Sequence, residues 1–274
     1  MATHHLMPQT TAIYLYCVVR AVRQLSLTRV PAGLGGATRP QATRVTAGLS
    51  LIHADVPLDI YGPSRLEPRL ADLAWIADVA VAHESVVEHF ARMQAATVVP
   101  MKLFTMFSSL DKAIADVRGR RAAVNRALRH IAGCEEWGIR VSRAVAPASL
   151  PTVAERTSKR SPRREQSGVA FLVARRDARD AARAARVEAL TAADASFTRL
   201  QKLARDARRR DRGTEPGSNP PLLEASFLVP TASRTKFQAE ARRQAAACAA
   251  AGADMTLTGP WPAYNFVGDA GDRT

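Results

Sequence analysis

The sequence predicts an α+β protein of two domains. Short apolar runs of strand character are interspersed with longer stretches of helical periodicity. A tract at 147–167, rich in proline, serine and arginine and poor in apolar side chains, cuts that pattern in two. The expected layout is an N-terminal α+β domain over 1–146, a flexible basic linker over 147–167, and a smaller α+β domain over 168–274. An aromatic arm at 257–267 is expected to close the core of the second domain.

The N-terminal elements follow from local pattern. Ile13 to Val19 are apolar, β-branched or aromatic throughout, the signature of a buried strand. From Thr28 to Gly48 the text is rich in glycine, proline and arginine and reads as a loop; Leu49–Ala54 reads as a second strand. Between Ala71 and Ala95 the period becomes helical, with Val79, Val86, Phe90 and Met93 on one face. The run VVPMKLFTMF at 98–107 is strand-like. A helix to about Ile131 follows it, opened by a capping box from Ser108 to Asp111 and stopped by Gly133. Gly138–Ala146 alternates as a half-buried strand. The sum is helices packed on one face of a small, mainly antiparallel sheet.

The second half begins with GVAFLVARR at 168–176, read as a short strand. A long helix runs from Asp177 to about Arg212 with Val187, Leu190, Phe197, Leu200 and Leu203 as its stripe. Leu222–Val229 is a strand closed by Pro230, and Arg234–Ala251 an alanine-rich helix stopped at Gly252. The chain then extends into LTGPWPAYNFV, which holds Trp261, Tyr264 and Phe266 in a chain that is 5% aromatic. Pro260 and Pro262 stiffen the backbone on both sides of Trp261, and Gly259 gives freedom just before them.

Composition excludes several classes. No run approaches the ~18 apolar residues of a membrane helix, and the first twenty residues do not read as a signal peptide. Cys17, Cys134 and Cys248 are odd in number and widely spaced, which suits buried thiols in a reducing cytoplasm rather than disulfides or a metal. The net charge of +14 raises nucleic acid, anionic surfaces or acidic partners as candidates. Yet arginine supplies nearly all the basic residues and alanine is abundant, a pattern that high-GC coding bias alone produces. Gly33, Gly35 and Gly36 match no phosphate-binding spacing. His83-Glu84 and His89 mimic a zinc helix, but six residues place the imidazoles roughly 120° apart. No catalytic motif is present, and neither Cys134 nor His130 has an identifiable catalytic partner. The reading is therefore of a protein without enzyme activity, metal or cofactor.

Four stretches together resemble the gas vesicle protein F/L family: the YLY strand at 14–16, His83-Glu84 on its helix, VVPMKLFTMF, and GPWPAYNF near the C-terminus. Two departures stand out, Ala263 where a second proline is usual and Phe104 where the family carries glycine. The resemblance implies a ferredoxin-like N-terminal domain and a cytoplasmic accessory protein of gas vesicle assembly. It further implies partners in the small hydrophobic shell protein and other accessory proteins, with no membrane. The motif residues it marks for partner binding are His83, Glu84, Pro100, Phe104, Gly259, Pro260, Trp261, Pro262, Tyr264 and Phe266. A basic nucleic-acid or ribosome-associated protein is the rival reading.

Overall fold

Two sheets with flanking helices make up the computed structural model, which describes residues 10–144, 168–210 and 220–268. The α+β class is as expected, but the units are cut differently. One contains the chain up to Glu136 and then Pro260 onward; the other contains Trp137–Gly259. The proposed linker at 147–167 lies outside the described residues.

The first unit is built around β1 (Thr11–Ala21), which pairs antiparallel with β3 (Leu49–Pro57) on one side and β4 (Ala96–Pro100) on the other. β2 (Gln41–Thr46) adds to the outer edge of β3, and the short β5 (Met106–Phe107) pairs with β1 beyond β4. Reading 28–48 as loop missed β2, whose QATRVT sequence has only one fully buried side chain and hence a faint apolar signal. The helices are α1 (Leu58–Tyr61), α2 (Pro63–Arg69), α3 (Leu73–Ala91), α4 (Leu110–Gly119) and α5 (Arg121–Ile131). The single helix expected before Ile131 is thus two, interrupted at Arg120. Its cap is Ser109, whose Oγ accepts from the Lys112 amide at 3.3 Å, rather than Ser108. On α3, Val79, Val86 and Phe90 are buried as the period requires.

One irregularity in β1 shapes everything near it. The register with β3 slips between Leu15 and Cys17, leaving Tyr16 as an extra residue, a β-bulge. The bulge resets the alternation, so Ala12, Tyr14, Tyr16, Cys17 and Val19 all enter the same core as Val86, Val87 and Phe90 of α3.

In the second unit the sheet order is β7-β8-β6-β9, with β6 (Cys134–Arg143), β7 (Asp206–Arg209), β8 (Leu223–Pro230) and β9 (Ala253–Trp261). α6 (Gly168–Gln201) and α7 (Arg234–Ala250) supply Ala189, Ala193, Leu200, Phe237, Ala241 and Cys248 to its core. Three expectations are corrected here. The strand near 138–146 belongs to this sheet instead of the N-terminal one. Residues 168–176 open α6, because a short apolar run leading without a breaker into an alanine-rich stretch fits a helix as well as a strand. The helix ends at Gln201, and the basic run beyond it is strand: Asp206–Arg209 pairs antiparallel with Ala225–Leu228.

Candidate functional site: the clasp of the C-terminal arm

Tyr14 and Tyr16 stand side by side on β1, their rings 4.9 Å apart and edge-on, both fully buried. Phenol hydroxyls so placed need partners. The Leu34 amide donates to Tyr16 Oη at 3.1 Å, and here the GLGG loop finds its use. Gly33, at φ +80°, lies so close over Tyr16 that a Cβ would come 2.3 Å from the hydroxyl. Burial pushes the Tyr16 phenol up to about 12. Tyr14 Oη accepts from the Phe104 amide at 3.4 Å and lies 2.8 Å from Nδ1 of His83 on α3. With Tyr14 donating, the imidazole is neutral and carries its proton on Nε2. Burial agrees with this, lowering the His83 pKa to about 4 against a small opposing pull from the Met101 main chain.

The bulge also seats the turn between β4 and β5. The Met101 amide donates to the Tyr16 carbonyl at 2.9 Å, and the Leu15 amide donates to the Thr105 carbonyl at 2.9 Å. Pro100, buried at the end of β4, lies opposite Cys17. Phe104 occupies this turn at φ +62°, a left-handed conformation that glycine adopts most readily. Its ring stacks on Trp75 at 5.8 Å and 13°, and the Arg69 guanidinium lies 5.2 Å from the Trp75 centroid.

The C-terminal arm reaches this group. Tyr264 donates to Glu84 Oε2 at 2.6 Å, and its ring lies 6.4 Å from that of His83. The Asn265 amide donates to Glu136 Oε2 at 2.9 Å, and its side-chain amide donates to Glu136 Oε1. Pro262, Ala263, Phe266 and Val267 are buried beside them. Burial raises the Glu84 pKa, helped by Glu88 and Glu136 and opposed by the Tyr264 hydroxyl and Arg92. Burial, and then the Glu84 charge, raise that of Tyr264.

His83, Glu84, Tyr264, Phe266, Pro262 and Pro100 are therefore brought into one buried region, with the Phe104 backbone at its margin. Trp261 is not: it stays 43% exposed, Pro260 beside it is exposed too, and Gly259 just before them has φ +118°. The expectation that the arm completes the second domain's core is corrected, since its anchoring residues lie in the first unit. Sequence reading missed Glu136, Asn265 and Trp75. Glu136 carried one faint signal, a carboxylate within a strand's buried stretch.

Chemically the cluster is a clasp. Cys17 is buried and its thiol pKa raised, so the nucleophilic thiolate is suppressed. His83 Nε2 and Glu84 Oε1 are buried without hydrogen-bond partners among the described residues. Among the described residues no group of three or more His, Cys, Asp or Glu could hold a metal ion, and no helix is long and apolar enough to cross a membrane. An open groove of about 440 Å³ lies at the far end of β1, lined by Arg23, Arg44 and Leu25 among others, and contains none of the motif residues.

Residues 12–268 match the family described as "Gas vesicle synthesis protein GvpL/GvpF". A gas vesicle protein L from Streptomyces sp. (strain CB03234) is 28% identical over 268 residues, covering 94% of this chain and 93% of its own length. Two crystal structures share the fold. Gas vesicle protein GvpF from Anabaena sp. PCC7120 superposes with a TM-score of 0.64 at 15% identity, over 94% of this chain and 96% of that one. Its counterpart from Microcystis aeruginosa gives 0.59 at 14% identity, over 93% and 98%.

Proposed function

Because the chain belongs to the GvpL/GvpF family of gas vesicle proteins, we propose that it acts in gas vesicle assembly as a non-enzymatic accessory protein that binds the small hydrophobic shell subunit. The observation that carries the binding role is an apolar row left in solvent on α3. Leu73, Ala77 and Val81 follow one another at four-residue steps, with Leu73 78% and Val81 69% exposed. The half-exposed Trp75 and Phe104 pair lies on the same unit, with Arg69 against it. Exposed apolar surface of this kind is typical of protein-binding surfaces.

A shell subunit that polymerises into a water-excluding wall exposes apolar surface until it is incorporated, and is an aggregation hazard in that interval. A partner with its own apolar row can cover that surface in the cytoplasm and deliver the subunit to the vesicle. The same logic extends to other accessory proteins of the assembly.

Co-expression tests the reading. The soluble fraction of the shell subunit should rise with the intact chain and fall back with Leu73→Glu/Val81→Glu, whose exposed positions leave the fold alone. Capture that persists at moderate salt supports apolar binding, whereas capture that vanishes steeply with salt supports the rival basic, nucleic-acid-type behaviour. No recovery of shell subunit at any salt overturns the proposal.

A further inference from the structure

Every described side chain of α6 from 170 to 188 is solvent-exposed, whereas the same helix is half-buried from Ala189 onward. The exposed half is not a uniformly polar face. At about 100° per residue, Arg175, Arg176, Arg179, Arg183 and Arg186 fall within an arc of about 100°. Asp177 and Glu188 fall on the opposite side, while Asp180 borders the stripe and makes a long surface contact of 3.8 Å with Arg176. Beside the arginine stripe runs a seam of small side chains. Ala178, Ala182 and Ala185, with Phe171, continue the meridian that Ala189, Ala193 and Leu200 bury further along.

Such a stripe costs stability when it stands alone. Like charges four apart oppose a helix, and helical stability in proteins comes mainly from packing, which 170–188 lacks among the described residues. We propose that this half of α6 is a docking surface for an acidic α-helix of a partner protein. The partner's carboxylates pair with the arginine stripe while its backbone approaches over the alanine seam.

Charge selects the occupant. Arg175, Arg179 and Arg183 are spaced at four residues, about 6 Å along the axis, the step at which a helix with glutamates four apart presents its own charges. A second copy of this chain is disfavoured, since an antiparallel two-fold pairing sets the stripe against itself and the chain carries +14. A nucleic-acid groove fits less well. Phosphates flank a groove-bound helix on both sides, and here one flank is arginine and the other Asp177 and Glu188. Phe171 is the sole aromatic of the exposed half, so a base-stacking platform is missing as well. This partner is distinct from an apolar shell subunit, and neither result depends on the other.

The test uses the full chain with labelled probes at physiological salt, read by fluorescence anisotropy. The probes are a synthetic amphipathic helix bearing glutamates four apart, the same peptide with glutamine in their place, unstructured polyglutamate of equal charge, and duplex DNA. The expected order is tightest binding to the acidic helix and no binding to the glutamine peptide. Arg175→Gln/Arg179→Gln/Arg183→Gln should weaken the acidic helix about tenfold, as three exposed charge pairs would. Ala178→Glu should weaken it too, and Arg→Lys at the three positions should largely restore it. Polyglutamate binding as tightly as the helix, DNA binding more tightly, an unaffected triple variant, or a dimer by light scattering with the stripe occluded would each overturn the proposal. A triple variant with altered circular dichroism is set aside, and the lysine variant and Ala178→Glu then decide.

Discussion

The two units solve the same packing problem with different chemistry. The first puts polar aromatics at its centre: Tyr14, Tyr16 and His83 interlock, and Tyr264 is tied to Glu84 from the chain's far end. The second relies on hydrocarbon rings, with Phe227 lying 5.5 Å from both Phe197 and Phe237 and Trp137 6.2 Å from Phe237. Its buried polar contact is small, Ser196 bonded to the Ala192 carbonyl and close to Gln244 and Cys248. Hydrogen-bonded rings fix one geometry, because a displaced partner leaves a buried group unsatisfied. Hydrocarbon rings give cohesion with little directional demand. The family motifs cluster in the unit whose geometry is fixed by polar contacts.

The contrast can be broken from either side. The largest effect is expected in the second unit, where Phe227→Ala should cost about 3–5 kcal/mol, the loss for a fully buried ring; denaturant unfolding followed by Trp137 fluorescence reads it. Acid should act on the first unit, since the sequence from 137 to 259 has no histidine. His83 titrates at an ordinary 6.5 when unfolded and about 4 when folded, so the unfolded state takes the proton first. Stability should therefore fall as pH drops from 6.5 towards 4, by up to about 3 kcal/mol. His53, also buried and lowered, acts in the same direction. Glu84 opposes them: its raised pKa means that the folded state holds the proton, so its contribution declines as pH rises above 4.5. His83→Gln should flatten the melting-temperature profile in the acid range, and an unchanged slope would refute the assignment.

Smaller effects separate the two halves of the aromatic arm. Tyr264→Phe removes a hydrogen bond to a half-buried carboxylate and should cost about 1.5–3 kcal/mol. Trp261→Ala should cost only about 1–2, below the value for a fully buried ring, because Trp261 is 43% exposed. A melting loss for Trp261→Ala larger than for Phe266→Ala would reverse this ranking. The smallest change is expected at Phe104. Glycine there relieves a left-handed cost of about 1–2 kcal/mol and forfeits a stack worth about 0.5–1.5, so Phe104→Gly should nearly balance. Phe104→Ala keeps the strain and loses the stack, and should melt lower than Phe104→Gly.

Much of this was legible because periodicity reports burial. The apolar run of β1, the buried face of α3, and the strand–helix order of β8 and α7 all follow from side-chain pattern. What stayed hidden was long-range or ambiguous. Nothing local tells that β6 joins β8 and β9 rather than β1, or that Tyr264 meets Glu84 across 180 residues. The bulge at Tyr16 is a register event, invisible in a uniformly apolar strand. The clasp was half legible: His83-Glu84 and the arm were both marked, but only folding joins them, and Glu136 gave little sign of itself. The departure at Phe104 was visible as a missing glycine, and its meaning came only with the positive φ.

The path of the chain has a consequence for how the molecule is made. The first unit is left at Glu136 and rejoined at Pro260, after the whole second unit has been spelled out. A ribosome therefore emits Tyr14, His83 and Glu84 long before Tyr264 and Phe266 exist to cover them. Until Tyr264 and Asn265 are read, the nascent first unit holds an open seat, with the Glu84 and Glu136 carboxylates awaiting their donors. Completion of that unit waits for the whole second unit to be made, and a chain cut before Pro260 would carry an unfinished beginning.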